Sequence, residues 1–271
     1  MKKNKSFALA LIFTVIILLQ PQSWQWLKTT FTQKDIAQQL AFTDSTEEKN
    51  ETEHELHQIE NQKLLELSYQ GRSVIKVHDK AIFTEEELSI EKGSWESYKP
   101  LDWLNRVGEA NALLGKELLP QTRRGDISSV KPTGWKNKKI IFNGKTDYLY
   151  NRCHLIAYEL TGQNDNPHNL FTGTRALNAN FQVQESSMLY YEKLIADYIK
   201  QTGHHVRYRV TPLFRNVELV ARGVRMEAQS IEDDTISFDV YLFNVQPNYQ
   251  INYLTGSSEK IKRVTYRKKR K

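Results

Sequence analysis

Hydrophobic and polar residues alternate along much of the C-terminal half of the chain, as is typical of β-strands. We predict strands in four segments: "SVIKVHD" (73–79), "HHVRYRVTPLF" (204–214), "VRMEAQSI" (224–231) and "TISFDVYLFNVQP" (235–247). Between the first two lies "SSMLYYEKLIADYIKQTG", whose helical period, with Ser186 or Ser187 as N-cap and Gly203 as stop signal, predicts a helix. The pattern therefore indicates an α+β fold with a mixed or antiparallel sheet core and helices.

Two further elements are predicted between these segments. "PLDWLNRVGEANALLGKELLP" (100–120) has apolar residues at helical spacing and predicts a helix. "KIIFNGKTDYLYNRCHL" (139–155) predicts a β-hairpin that turns at Asn143-Gly144, because Asn-Gly favours the tight turn of a two-residue loop.

The N-terminus has a different pattern. Lys2, Lys3 and Lys5 precede a charge-free run from Phe7 to Leu19, which has the length of a signal-peptide core. No small-residue cleavage site follows, and Trp24 and Trp26 suit a membrane interface. We therefore predict that residues 1–27 are an uncleaved signal anchor, or a signal peptide, with residues 7–27 in the membrane. The lysines favour a cytoplasmic N-terminus and an extracellular remainder.

The rest of the chain divides by charge. Acidic residues dominate from Asp44 to Glu60, so residues 28–72 are predicted to be a polar, acidic stalk or linker. A helix that continues to Leu67, or the first helix of the domain itself, is the alternative. Residues 73–256 form the predicted catalytic or binding domain, and residues 257–271 a basic tail.

The net charge and the cysteine content limit the classes of partner and of site that this chain can have. With 38 Lys and Arg against 32 Asp and Glu the formal net charge is +6, which makes a polyanionic partner plausible. The single cysteine, Cys153, excludes an intramolecular disulfide and a zinc site built from several cysteines.

Cys153 and His154 are adjacent in "YNRCHLIAYEL" (150–160). Neighbouring side chains on a strand point to opposite faces, so the pair is not expected to act as a nucleophile with its base. A cysteine hydrolase is therefore the least favoured interpretation, and a structural cysteine the preferred one. His154 alone can act as a general base near neutral pH.

Phosphodiester hydrolysis needs an activated water and stabilisation of charge on the phosphate. Residues near His154 in the sequence supply suitable groups: the guanidinium of Arg152, the amides of Asn169 and Asn178, and the carboxylate of Glu192. Mg²⁺ keeps several water ligands, so one amide oxygen from the protein can suffice.

The segment "NRCHLIAYELTGQNDNPHNLFTGTRALNANFQ" resembles the active-site segment of DNA/RNA non-specific endonucleases of the ββα-metal (His-Me finger) type. The similar branches are membrane-attached DNA-entry nucleases and secreted streptodornases. Further similar blocks, including "VKPTGW" and "NVQPNYQINYLTG", follow in the same order, so the likeness covers roughly residues 73–256.

This resemblance implies roles for single residues. His154 falls on the family's general base, Arg152 on its motif arginine, and Asn178 on its metal-binding asparagine at the start of a helix. Asn169 matches a second active-site asparagine, and Glu192 an acid that holds a metal-bound water. The family usually has Asp-Arg-Gly-His, whereas this chain has Asn151-Arg152-Cys153-His154, with a cysteine beside the base.

The implied cofactor is Mg²⁺, with Mn²⁺ as an alternative, and the implied substrate is DNA, with RNA as an alternative. Phosphate contacts carry no sequence information, which suits a non-specific nuclease. Five basic residues are candidates for substrate binding: Arg123, Arg124, Lys131, Arg207 and Arg209.

Two other functions stay open at this point. A membrane-anchored protein that binds nucleic acid without cleaving it would need the basic surface but not His154. A nuclease toxin would share the chemistry but not the location, which we predict to be the outer side of the cell membrane or the medium. The oligomeric state is not predicted.

Overall fold

The structure, a computed structural model, describes residues 54–261. Residues 54–58 are the described end of a first unit and are helical, and a compact second unit begins at Ile59. The predicted anchor, residues 28–53 of the predicted stalk and residues 262–271 of the basic tail lie outside the described residues. Within residues 54–261, no helix combines the length and the apolar character needed to cross a membrane.

The described strands are β1 (Val74–His78), β2 (Trp95–Tyr98), β3 (Ala110–Leu114), β4 (Lys139–Phe142), β5 (Lys145–Tyr148), β6 (Tyr150–His154), β7 (Leu170–Thr174), β8 (Val206–Leu213), β9 (Gly223–Ser230), β10 (Ser237–Phe243), β11 (Tyr249–Ile251) and β12 (Ser258–Lys260). The α-helices are α1 (54–66), α2 (Tyr158–Thr161), α3 (Arg175–Asn178) and α4 (Met188–Thr202), and short 3₁₀ helices cover Lys116–Leu118 and Gln184–Ser186.

Six strands form the central sheet in the order β1-β10-β9-β8-β3-β2, and each neighbouring pair is antiparallel. Three two-stranded sheets, β4-β5, β6-β7 and β11-β12, lie beside it. The predicted α+β class with an antiparallel sheet core is therefore confirmed.

One face of the central sheet carries the main hydrophobic core. Strand alternation turns Val206, Tyr208 and Val210 of β8 to this face, where they are fully buried. Helix α4 covers the face and contributes Ile195 and Ile199 to the same core. At about 25 cal/mol per Å² of apolar surface, this burial is the main favourable term in folding.

The opposite face of the same strands is ionic. Arg209 of β8 donates two hydrogen bonds of 2.9 Å to Glu227 of β9, and Arg207 donates one of 2.9 Å to Glu87. Only 2% of Arg207 and 9% of Arg209 are exposed. Arg207 and Arg209 do share a strand face as predicted, but their assignment to substrate binding is wrong, because their charges are buried and paired within the fold.

The fold begins before the predicted boundary at Ser73. In α1, Leu64 and Leu65 are buried and form a small core with Tyr241 and Phe243 of β10. Because these two apolar side chains pack on the sheet, residues 59–66 of the predicted stalk belong to the folded unit.

The predicted helix over residues 100–120 is wrong. The Asp102 carboxylate accepts hydrogen bonds of 2.9 Å from the backbone N–H groups of both Leu104 and Arg106, and Asn105 has a left-handed φ of 61°. These contacts turn the chain before β3, which is then paired between β2 and β8. Pairing with distant strands satisfies the backbone of β3, and local periodicity gives no information about that pairing.

The hairpin predicted over residues 139–155 is confirmed only as far as Tyr148, because Tyr150–His154 form the separate strand β6, which pairs with β7. Its turn and the long helix are as predicted. Asn143 and Gly144 have φ values of 51° and 77° and connect β4 to β5, as the Asn-Gly turn requires. Helix α4 follows Ser187 and ends at Gly203, which has a φ of 78°.

Candidate active site

Strand β6 carries Arg152 and His154, and it pairs with β7. The two strands are antiparallel, with His154 opposite Leu170 and Cys153 opposite Phe171. The buried Asn244, just after β10, fixes β7, because its Nδ2 donates to the Thr172 carbonyl at 3.0 Å and its Oδ1 accepts from the Thr174 N–H at 2.8 Å. The central sheet thereby positions the strand pair that carries the site.

Cys153 points into the main core and away from the site. It is 1% exposed, and burial raises the pKa of its thiol far above the ordinary value. A side chain at Gly173 of β7 would bring its Cβ within 2.3 Å of the Cys153 sulfur, so a glycine there leaves the space that Cys153 fills. The cysteine beside the histidine is therefore a packing residue, in agreement with the interpretation preferred from the sequence.

The opposite side of β6 faces a cleft of about 760 Å³. Five of the residues singled out in the sequence line it: Arg124, Arg152, His154, Asn178 and Glu192. Among the described residues that line it, His154 is the sole histidine. The cleft therefore gathers a base, two cations, an amide and a carboxylate from four separate segments.

His154 is held in one orientation and tautomer. Its Nε2 lies 2.8 Å from the backbone carbonyl oxygen of Asn164, which can only accept, so Nε2 carries the proton. The lone pair is then on Nδ1, and an Arg124 Nη2 lies 3.4 Å from that nitrogen. The nitrogen that can take a proton is therefore the one that faces the exposed, positively charged Arg124.

The environment keeps His154 neutral. The pKa of His154 is lowered from the ordinary value to about 4: burial is the main cause, the hydrogen bond to the Asn164 carbonyl opposes it, and the charge of Arg124 adds to the lowering. A neutral imidazole at neutral pH is the form that can act as a base.

Arg152 braces one wall of the cleft. Its Nη2 donates to the Ser128 carbonyl at 2.9 Å, its Nε donates to the Val130 carbonyl, and its guanidinium lies 4.4 Å from the centre of the Trp135 ring. Two of its N–H groups are thus used on the loop before β4, and the others have no hydrogen-bond partner within residues 54–261, so they can bind an anion in the cleft.

Asn178 is the last residue of the four-residue helix α3, rather than the first residue of a helix as the resemblance implied. The Thr174 hydroxyl caps this helix by accepting from the Leu177 N–H at 3.1 Å. No hydrogen bond ties the Asn178 amide to another residue within residues 54–261. Its oxygen is available to a ligand in the cleft.

The donors in the cleft suit a hard divalent cation. Glu192 and Glu159 add carboxylates beside the amide of Asn178. Oxygen ligands of this kind are preferred by Mg²⁺, which needs few of them. Within residues 54–261, no group of three or more His, Cys, Asp or Glu side chains is arranged to hold a metal ion.

Asn169 has a structural role instead of the predicted metal role. It is fully buried, its Oδ1 accepts from the Ile156 N–H at 2.9 Å, and its Nδ2 donates to the Ile156 carbonyl at 2.9 Å. These two hydrogen bonds to the backbone of Ile156 occupy both ends of the amide, and Asn169 does not line the cleft. Asn169 instead fixes the backbone two residues after His154.

The remaining basic candidates for substrate binding differ in whether they line the cleft. Arg123 and Lys131 are exposed but do not line the cleft, whereas Arg124 does. Sequence reasoning missed Arg175, Trp135 and Glu159, which also line it. For Arg175 the proximity to Asn178 was a usable signal, but nothing in the local pattern indicated Glu159.

Comparisons with known proteins agree with this fold. The model of the DNA/RNA non-specific endonuclease family matches residues 87–232. This chain therefore belongs to the DNA/RNA non-specific endonuclease family. A curated deoxyribonuclease from Streptococcus dysgalactiae subsp. equisimilis is 29% identical over 196 residues, and the match spans 59% of this chain and only 59% of that protein.

The fold of this chain is also similar to solved structures of two nucleases. NucA from Streptococcus agalactiae with magnesium ion bound is 27% identical, with a TM-score of 0.62 over 72% of this chain and 92% of NucA. The Sda1 nuclease with bound zinc ion is also 27% identical, with a TM-score of 0.55 over 61% of this chain and 80% of Sda1. Both relatives bind a divalent metal ion in those structures.

Proposed function

We propose that this chain is a divalent-metal-dependent endonuclease that hydrolyses phosphodiester bonds in DNA, with His154 as its general base. One observation carries the proposal: the Nδ1 lone pair of His154 faces the cleft because the Asn164 carbonyl binds the opposite ring nitrogen. Membership of a nuclease family and the amide of Asn178 in the same cleft support it.

In the proposed mechanism, Nδ1 of His154 takes a proton from the attacking water. Arg152 and Arg124, which line the same cleft, bind the phosphate and offset its developing negative charge. Asn178 would hold the divalent ion, and the carboxylate of Glu192 in the same cleft would support it. The ion, when bound, supplies further stabilisation for charge on the phosphate and the leaving oxygen. Mg²⁺ is the proposed ion and Mn²⁺ an alternative, and RNA is a second candidate substrate.

We further propose that the nuclease acts outside the cytoplasm. The lysines before Phe7 and the charge-free run to Leu19 support a signal anchor in residues 1–27, with membrane contact through residues 7–27. Residues 73–256 are the proposed nuclease domain, between an acidic linker and the basic tail of residues 257–271.

Removal of the metal tests the proposed function directly. We expect the full-length protein to nick and degrade supercoiled plasmid with Mg²⁺ and to leave it intact with EDTA, because no charged group other than the arginines would then stabilise the phosphate. Gel electrophoresis of the plasmid measures this. Intact plasmid under both conditions, together with a shift in mobility, would instead favour the non-cleaving nucleic-acid-binding protein.

The pH dependence of cleavage provides a second test. The pKa of His154 is lowered to about 4, chiefly by burial, so kcat/KM should stay constant as the pH drops through the ordinary histidine value of ~6.5 and should fall only as the pH approaches 4. Replacement of Arg124 by Gln removes one cause of that lowering, so the acidic limb of the profile should move to higher pH. The neighbouring Arg123→Gln changes the net charge equally outside the cleft and should not move it. An acidic limb that stays in place in Arg124→Gln would contradict the assignment of His154.

A further inference from the structure

Two carboxylates without partners face the same cleft. Glu192, in the second turn of α4, is only 6% exposed, lines the cleft, and receives no hydrogen bond from another residue within residues 54–261. Glu159, in α2, also lines the cleft, and its Oε1 is buried with no hydrogen-bond partner. The family resemblance assigned a role to Glu192 but none to Glu159.

Such a pair is unfavourable by itself. Glu192 and one oxygen of the half-buried Glu159 are removed from water, and each unpaired oxygen loses the hydrogen bonds that water would provide. Two carboxylates that line one cleft also repel each other.

Within residues 54–261, three arginines line the cleft, but Arg152 donates to the Ser128 and Val130 carbonyls and Arg175 pairs with Asp147 at 2.6 Å. Arg124 is therefore the cation that acts on Glu192, and it also lies against His154 and is a proposed phosphate ligand. One guanidinium does not satisfy all of these groups at once.

A hydrated divalent cation would satisfy both groups. It brings two positive charges, and each of its waters has O–H groups that donate to unpaired carboxylate oxygens. The amide of Asn178, in the same cleft, supplies a direct ligand. A monovalent partner such as a lysine would supply only half of that charge.

We propose that Glu159 is a metal-affinity residue of this chain, which together with Glu192 holds the water shell of the divalent ion that Asn178 binds. The proposal rests on the proposed function and deepens it. Glu159 is a positioning residue here, because it acts on the ion through water and does not touch the reacting phosphate. Its expected signature is therefore a change in metal binding that is measurable without substrate.

Titration of the metal-free full-length protein with Mn²⁺ tests this, with free Mn²⁺ followed by electron paramagnetic resonance. We expect Glu159→Gln to weaken Mn²⁺ binding about 10- to 100-fold, the range typical of groups that support metal ligands. Glu159→Asp, which keeps the charge, should bind more tightly than Glu159→Gln. Glu85→Gln, which removes an exposed carboxylate outside the cleft, should bind as the unmodified chain does.

The outcomes separate this inference from the proposed function. If Glu159→Gln binds Mn²⁺ as tightly as Glu85→Gln while Asn178→Ala loses binding, the role of Glu159 is refuted and the metal site stands. If the unmodified chain does not bind Mn²⁺ at all, the proposed metal dependence fails as well. Thermal unfolding followed by circular dichroism establishes that each variant is folded, and a folded Glu159→Gln with weakened binding supports the inference.

Discussion

Replacement of His154 by Ala is expected to lower the rate of plasmid cleavage by about 10²- to 10⁴-fold, the usual contribution of a general base. The reason is geometric: the lone pair on Nδ1 faces the cleft, and no other histidine lines it among the described residues. Binding of DNA should survive, because Arg124 and Arg152 stay in the cleft. Cleavage is measured on plasmid with Mg²⁺, and binding by gel shift with EDTA present.

His168→Ala is the matched control, because His168 lies in the turn before β7 and does not line the cleft. It should cleave at the rate of the unmodified chain. Added imidazole should restore part of the activity of His154→Ala, since the deletion leaves space where the ring was. Full activity in His154→Ala would refute the proposed mechanism.

The largest loss of stability is expected from Asp239→Ala, which should lower the free energy of unfolding by about 3–5 kcal/mol. Asp239 and Arg225 are both fully buried, and Arg225 donates to the two carboxylate oxygens at 2.9 and 2.7 Å. Within residues 54–261, removal of the carboxylate leaves the buried guanidinium with two acidic neighbours, Glu60 at 3.0 Å and Glu227 at 3.6 Å. Urea denaturation followed by circular dichroism measures the change.

Asp234→Ala serves as the control for this prediction. Asp234 lies in the loop between β9 and β10, five positions before Asp239 in the same hairpin, and its side chain is 87% exposed. Its pair with Lys80 spans 3.7 Å at the surface, where ion pairs contribute little. The urea midpoint should therefore not move. Equal midpoints for Asp239→Ala and the unmodified chain would mean that the buried network does not stabilise the fold.

The buried network also explains the error on Arg207 and Arg209. From the sequence, two arginines on one strand face look like a phosphate-binding surface. In the fold, strands β8 and β9 pair so that Arg209 lies opposite Glu227, and that pairing joins residues far apart in the chain. A charge that is paired across strands cannot be distinguished from a free one by composition.

The sequence alone determined the strands β1, β8, β9 and β10, the Asn143-Gly144 turn, and helix α4, which ends at Gly203. Each depends on backbone preferences or side-chain alternation within a few residues. The motif around His154 also predicted the general base, because the chemistry of imidazole belongs to the residue itself. These are properties of neighbouring residues and need no knowledge of the rest of the chain.

Only the tertiary structure decided the remaining points. It made residues 110–114 a strand, because β2 and β8 offered hydrogen bonds to that backbone. It turned Asn169 into a brace for Ile156 and brought Glu159 beside Glu192 in the cleft. In each case the deciding partner lies more than ten residues away in the chain. A pattern of neighbouring residues carries no information about such contacts.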